Sequence, residues 1–143
     1  FWGGLVTSAN ATFSSSKARI GANDEGRFVA RTVSLPSQSS RAFNAVIGWE
    51  SPAFGVRVAA NHKSRYLLEV GDPLDAERDL YVDAQTQWDL SARFALGARS
   101  TLVVEALNLG NEPYYVFQAR PSRNAQYETY GRTLRVGLKI ALF

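Results

Sequence analysis

The sequence predicts an all-β chain whose strands cross a membrane as a segment of an antiparallel β-barrel. Three observations lead there. Apolar and polar residues alternate with period two over long stretches, and the links between those stretches are alternately long and short. No apolar run approaches the roughly 20 residues that a membrane helix needs, so a membrane role has to use strands. A 45% hydrophobic content in 143 residues would also suit a soluble domain, so the pattern decides and not the composition.

Six strands are expected, at about 3–13, 41–50, 56–66, 80–94, 101–109 and 132–143, making residues 1–143 one barrel segment. In the first, Leu5, Thr7, Ala9, Ala11 and Phe13 oppose Val6, Ser8, Asn10 and Thr12. In the second, Phe43, Ala45, Ile47 and Trp49 alternate with Asn44, Val46, Gly48 and Glu50, and in the third Val56, Val58 and Ala60 alternate with Arg57, Ala59 and Asn61. The fourth is the clearest: Leu80, Val82, Ala84, Thr86, Trp88, Leu90, Ala92 and Phe94 hold one parity against Tyr81, Asp83, Gln85, Gln87, Asp89, Ser91 and Arg93. Its span of about 15 residues suits a tilted membrane strand better than a globular one of five or six. The fifth places Leu102, Val104 and Ala106 opposite Glu105, with Val103 and Leu107 beside the glutamate. In the last, Leu134, Val136, Leu138, Ile140 and Leu142 oppose Arg135, Gly137, Lys139 and Ala141.

Long polar links at Ser14–Ser40, Leu67–Asp79 and Asn111–Gly131 alternate with short ones at Ser51–Gly55 and Ala95–Ser100. Barrels of the outer membrane have long external loops and short periplasmic turns, so the chain goes up and down three times and returns its C-terminus to the periplasm. Trp49, Phe54, Phe94 and Phe143 then fall at the periplasmic end and Phe13, Tyr66 and Tyr81 near the external end, as two aromatic girdles. A soluble β-sandwich also alternates, but normally with more and shorter strands and without alternating long and short links.

Composition removes several chemistries. Without cysteine there is no disulfide framework, thiol nucleophile or Cys-based metal site. The net charge of +3 comes from cations scattered among acids, not from the basic stripe of a nucleic-acid binder. The opening Phe1-Trp2-Gly3-Gly4 has no initiator Met or signal-like segment, so further chain is expected before it, as in a nicked or split protein held together by edge pairing.

Three motifs lie in order in the last third: Asn108-Leu109-Gly110-Asn111-Glu112-Pro113-Tyr114, then Tyr130-Gly131-Arg132-Thr133, then a terminal strand ending in Phe143. Together they resemble the closing signature of TonB-dependent outer-membrane receptors. Leu35-Pro36 before the strand to Trp49-Glu50, and Val56-Arg57-Val58 through Asn61 to Tyr66, resemble the family's preceding strands. The resemblance implies the last six strands of a 22-stranded barrel in the outer membrane of a Gram-negative bacterium, closed around a separate plug. It implies import of a scarce siderophore, vitamin or oligosaccharide with energy relayed by the TonB complex through the plug, and no enzyme activity or cofactor. The partners it implies are the remaining strands and plug, membrane lipid and lipopolysaccharide. Two departures stand out. Asn111 occupies a position that is usually acidic, and Phe143 falls one residue beyond the apolar parity, so that either Leu142 ends the outward row or a bulge realigns Phe143. A secreted carbohydrate-binding sandwich and a passive pore built from several six-stranded copies are the competing readings.

Candidate residues follow from this placement. Asp83, Asp89 and Arg93 share a parity expected to face the lumen, where the acids meet Arg57 or Lys63 on the neighbouring strand. Their spacing puts Asp83 and Asp89 about 20 Å apart, too far for an acid/base pair. Tyr114, Tyr115, Arg120, Arg123 and Tyr127 combine aromatic surfaces with guanidinium forks suited to sugars or anionic chelates; alternatively the tyrosines pack the last loop onto the rim. His62, the one histidine, reads as structural, and the acids Asp72, Asp75, Glu77 and Asp79 lack the spacing of a calcium loop. Ser14-Ser15-Ser16 has no base beside it.

Overall fold

A computed structural model describes residues 2–142. Twelve strands follow along the described chain: β1 (Gly4–Phe13), β2 (Lys17–Asp24), β3 (Arg27–Ser34), β4 (Arg41–Glu50), β5 (Phe54–Lys63), β6 (Tyr66–Glu69), β7 (Leu80–Val82), β8 (Gln85–Ala95), β9 (Ser100–Leu107), β10 (Tyr114–Gln118), β11 (Asn124–Glu128) and β12 (Thr133–Ile140). The only helical element described is a 3-10 turn at Ala76–Arg78. The fold is all-β, and every pairing is antiparallel.

Six strands form one sheet in the order β1-β4-β5-β8-β9-β12, an up-and-down meander with β1 and β12 as free edges, so the described residues close no barrel. The register carries the sequence parities across the whole sheet, because directly opposed residues share a face. Leu5 opposes Trp49, Trp49 opposes Val56, and Val56 opposes Ala92, which in turn opposes Val104. Val104 opposes Val136, completing an apolar row across six strands. No described element covers that face: Leu5, Ile47, Trp88, Leu134, Val136, Leu138 and Ile140 are all exposed.

The long links are structured. Residues 14–40 fold into the β2-β3 hairpin, closed by Glu25-Gly26, and the two later links build a second sheet in the order β11-β10-β7-β6. We call these elements together the cap. All the described hydrophobic side chains that are buried belong to it: Val33, Leu67, Val82, Val116 and Phe117.

The structure divides two expected strands and trims two others. Residues 80–94 are not one strand but β7 and β8, because Asp83 breaks the run: its carboxylate accepts from Ala84 N (2.9 Å), and its own N–H donates to the Tyr115 carbonyl (2.9 Å). β7 therefore leaves the six-stranded sheet, which we call the wall, and pairs with β10. Residues 56–66 likewise divide, with β5 starting at Phe54 and ending at Lys63 and Tyr66 opening β6. Tyr66 and Tyr81 thus belong to the cap and not to an external girdle. The apolar face ends there instead in Phe13, edge-on to Phe43 at 5.6 Å, and His62, stacked on Phe43 at 5.9 Å. At the opposite end, Trp49, Phe54 and Phe94 lie on the same face, with Phe54 directly opposite Phe94. The strand expected at 101–109 ends at Leu107, where Asn108 adopts a φ of 55°, and that expected at 132–143 runs from Thr133 to Ile140. Phe143 lies outside the described residues.

Candidate functional site

The polar face of the wall carries two distinct arrangements. Near the end with the short turns, Arg57 and Arg93 converge on one carboxylate: Arg57 Nε donates to Glu50 Oε1 (2.8 Å) and Arg93 donates to Glu50 Oε2 (2.7 Å) and to the Ser51 carbonyl (2.8 Å). Glu50 reaches both because it lies opposite Gly55, and a Cβ there would collide with its carboxylate. The acids expected to meet Arg57 and Lys63 do not. Asp83 has left the wall and pairs with Arg65 (3.0 Å), and Asp89 accepts from the backbone N–H of Asn108 (2.9 Å) and from Gln87 Nε2 (3.3 Å). Lys63 instead sits over the Tyr66 ring, 4.3 Å from its centroid. Register puts Asp89 on one diagonal from Arg57 and Glu50 on the other, and Arg57 takes Glu50, while Asp89 is held by the Asn108 amide.

Toward the cap the face carries a row of carboxamides. Asn10 opposes Asn44, Asn44 opposes Asn61, and Asn61 opposes Gln87, so four carboxamides form one row across β1, β4, β5 and β8. Asn44 Nδ2 donates to Asn10 Oδ1 (2.8 Å). Above the row opens a cleft of about 640 Å³, within the ordinary size of ligand sites, which Asn44, Asn61, Gln87, Asn108, Tyr114 and Tyr130 help to line.

The Asn108 motif builds the base of the last loop. Asn108 Nδ2 donates to the Gly131 carbonyl (2.9 Å), its Oδ1 accepts from Glu112 N (2.8 Å), and its carbonyl accepts from Asn111 N (2.8 Å). Arg132 Nε donates to the Leu109 carbonyl (2.9 Å), and Leu109 N donates to that of Trp88 (2.8 Å). Gly131 has a φ of 76°, open to glycine at no steric cost. The motif therefore ties the start of a loop of more than twenty residues to its end, with the Glu112 carboxylate fixed by Thr86 N (2.9 Å).

The loop residues expected to contact substrate separate into three groups. Tyr114 faces the cleft, where burial, then Tyr66 and Glu128, raise its pKa. Tyr115 packs in the cap between Phe117 and Tyr127, each at 6.0 Å, and donates to the Pro121 carbonyl. Arg120 and Arg123 both bind Glu77 (2.7 and 3.0 Å), which joins the last loop to the middle one and leaves neither fork pointing into the cleft. Tyr130 donates to Glu128, which raises the tyrosine pKa and lowers that of the carboxylate.

The sequence gives no sign of the one ion pair among the described residues whose carboxylate is fully buried. Arg31, on the β2-β3 hairpin, grips the fully buried Asp79 with two parallel bonds of 2.7 Å and donates as well to the carbonyls of Asp72 (2.7 Å) and Pro73 (3.0 Å). The bond to Asp79 comes first in raising the Arg31 pKa. Asp79 stood out only as one of four loop acids, and nothing local marks Arg31, 48 residues away, as its partner. The other acids of that loop are also engaged, Asp72 and Asp75 by backbone amides and Arg78. His62 Nδ1 meets Thr86 Oγ1 at 2.9 Å, and no group of metal-ligating side chains occurs among the described residues.

Compared with protein-family models, curated proteins and solved structures, the chain has no match.

Proposed function

We propose that this chain is a wall segment of an outer-membrane active transporter, the last six strands of a 22-stranded TonB-dependent receptor barrel, and that its role is transport and not catalysis. One observation carries the reading: a six-stranded meander leaves a continuous apolar face uncovered while every buried apolar side chain among the described residues sits elsewhere, in the cap. Such a face fits lipid, and exposed patches this large are rare on soluble monomers. A sandwich would cover it with a second sheet, and the cap sheet does not do so. The edges β1 and β12 need partners, because unpaired strand edges cannot face hydrocarbon. The remaining strands and a plug supply them in this reading, with lipid and lipopolysaccharide around the outside and the TonB complex acting on the plug. The loop base built by Asn108, Leu109, Gly131 and Arg132 supports the family resemblance by giving its motif a mechanical purpose.

Electrophoresis of the detergent-extracted protein, with and without boiling, tests the proposal. The expected result is faster migration of the unboiled sample and a requirement for detergent. A water-soluble monomer that migrates identically in both lanes overturns it, and a ring of identical six-stranded copies would favour the passive pore.

A further inference from the structure

We infer that the carboxamide row beneath the cap is a binding subsite for a neutral, linear oligosaccharide laid across the strands, a deduction that rests on the transport-barrel reading. The row Asn10-Asn44-Asn61-Gln87 runs perpendicular to the strands over three inter-strand steps, or ~14 Å, so it offers an extended ligand a line of contacts. Each carboxamide has both donors and an acceptor, the pairing that vicinal hydroxyl groups require. Asn44 keeps its carbonyl oxygen and Gln87 its own when their amide hydrogens go to Asn10 and Asp89, and Asn61 makes no side-chain hydrogen bond among the described residues.

The charged groups around the cleft are engaged within the chain. Lys63, which borders it, lies over the Tyr66 ring, and the guanidinium forks of Arg120 and Arg123 are held by Glu77 outside it. Of the carboxylates, Glu112 at the cleft accepts from Thr86 N, and Asp89 accepts from Asn108 N. Beside Lys63 and Glu112, the surface toward the ligand is amide and aromatic. Tyr114 and Tyr130 border the cleft on the cap side, and tyrosine rings offer an apolar face to the C–H surface of a pyranose together with a polar tip. The cleft volume of about 640 Å³ accommodates a short oligosaccharide.

The test uses the complete detergent-purified receptor and isothermal titration with maltohexaose, cellohexaose and laminarihexaose, with a ferric catecholate as the anionic comparison. The expected result is saturable binding of at least one glucan and none of the chelate. Asn44→Ala combined with Asn61→Ala should weaken that binding at least about tenfold, a loss of two hydrogen-bonding groups. Asn61→Gln, which keeps the amide, should recover part of it, and heat-modifiable migration verifies that each variant is folded. Absence of glucan binding by a heat-modifiable receptor overturns the inference and leaves the transporter reading standing. Unchanged glucan binding in the double variant, with easier release of the plug by trypsin, overturns it in favour of a plug-contact surface. A protein that is neither heat-modifiable nor detergent-dependent fails at the transporter reading first.

Discussion

The strands β4 and β10 both carry large apolar side chains, and they end in opposite situations. In β4, Phe43, Ile47 and Trp49 remain 38–57% exposed, whereas Val116 and Phe117 of β10 are each 1% exposed. The difference is one of partners. β10 lies between β7 and β11 in a small sheet, with Tyr81 stacked on Phe117 at 5.7 Å and Arg65 above the same ring at 4.7 Å. β4 lies in a larger sheet whose apolar face no other element covers. Full burial of a Val or Phe side chain contributes about 1.5–3 kcal/mol, so the cap acquires its hydrophobic stabilisation from within the chain. The wall buries no hydrophobic side chain among the described residues. The comparison also locates rigidity: the loops of this segment are tied to one another more densely than its sheet is tied to anything but neighbouring strands.

The largest expected effect lies in the cap. Replacing Asp79 by Ala leaves the Arg31 guanidinium with only two carbonyl acceptors, and breaking such a pair should cost about 3–5 kcal/mol. Hydrogen exchange should show the β2-β3 hairpin opening while the β4 and β5 amides keep their protection; equal deprotection of both would erase the distinction between cap and wall. Next comes the apolar face. Ile47→Arg should lower stability in lipid by roughly 2–4 kcal/mol if the side chain lies near the bilayer midplane. On a face open to water the same change should stay within about 0.5 kcal/mol, and refolding titrations into vesicles separate the two.

A smaller effect is expected at the loop base. Asn108→Ala removes both side-chain bonds and puts a residue with no polar compensation at a φ of 55°, which should cost about 1–3 kcal/mol and expose residues 108–132 to limited proteolysis. Glu77→Gln should cost at most about 1 kcal/mol, since its ion pairs with Arg120 and Arg123 are exposed; the effect should fade further in high salt, as read by cap melting. The smallest is pH-dependent. Glu128 has a lowered pKa because Tyr130 and then Gln126 donate to it, so its contribution is present above the ordinary carboxylate range and is lost as pH falls through the lowered value. Tyr130→Phe should move the Glu128 titration back up, measured by carboxyl NMR shifts.

Much of the wall was legible in the chain. Alternation is local, and Leu134, Val136, Leu138 and Ile140 share a face for no reason other than the period of an extended backbone. Short turns also leave little freedom of register: Ser51 closes its turn with bonds to Phe54, and from there Glu50 must oppose Gly55. The long links were another matter. Residues 14–40 look like polar loop because β2 and β3 bear Lys17, Arg19, Asp24 and Arg27, and only Val33 becomes buried there. The break at Asp83 was hidden by an unbroken alternation from Leu80 to Phe94, since departure from the wall depends on Tyr115 offering its carbonyl from a distant strand. The candidate site was divided in the same way. Arg57, Asp89 and Arg93 could be placed on one face by parity, but their partners could not, and the amide row exists only once four strands are in register.

By itself, then, the sequence determined the all-β class, the faces of the six wall strands and their antiparallel order, because these depend on a period of two and on the lengths of links. Tertiary structure alone decided that the loops would form a closed cap, that Arg31 would find Asp79, and that Asn10, Asn44, Asn61 and Gln87 would stand in one line. Those are pairings between segments far apart in the chain, and what selects them is packing and the burial of charge, which no local pattern encodes.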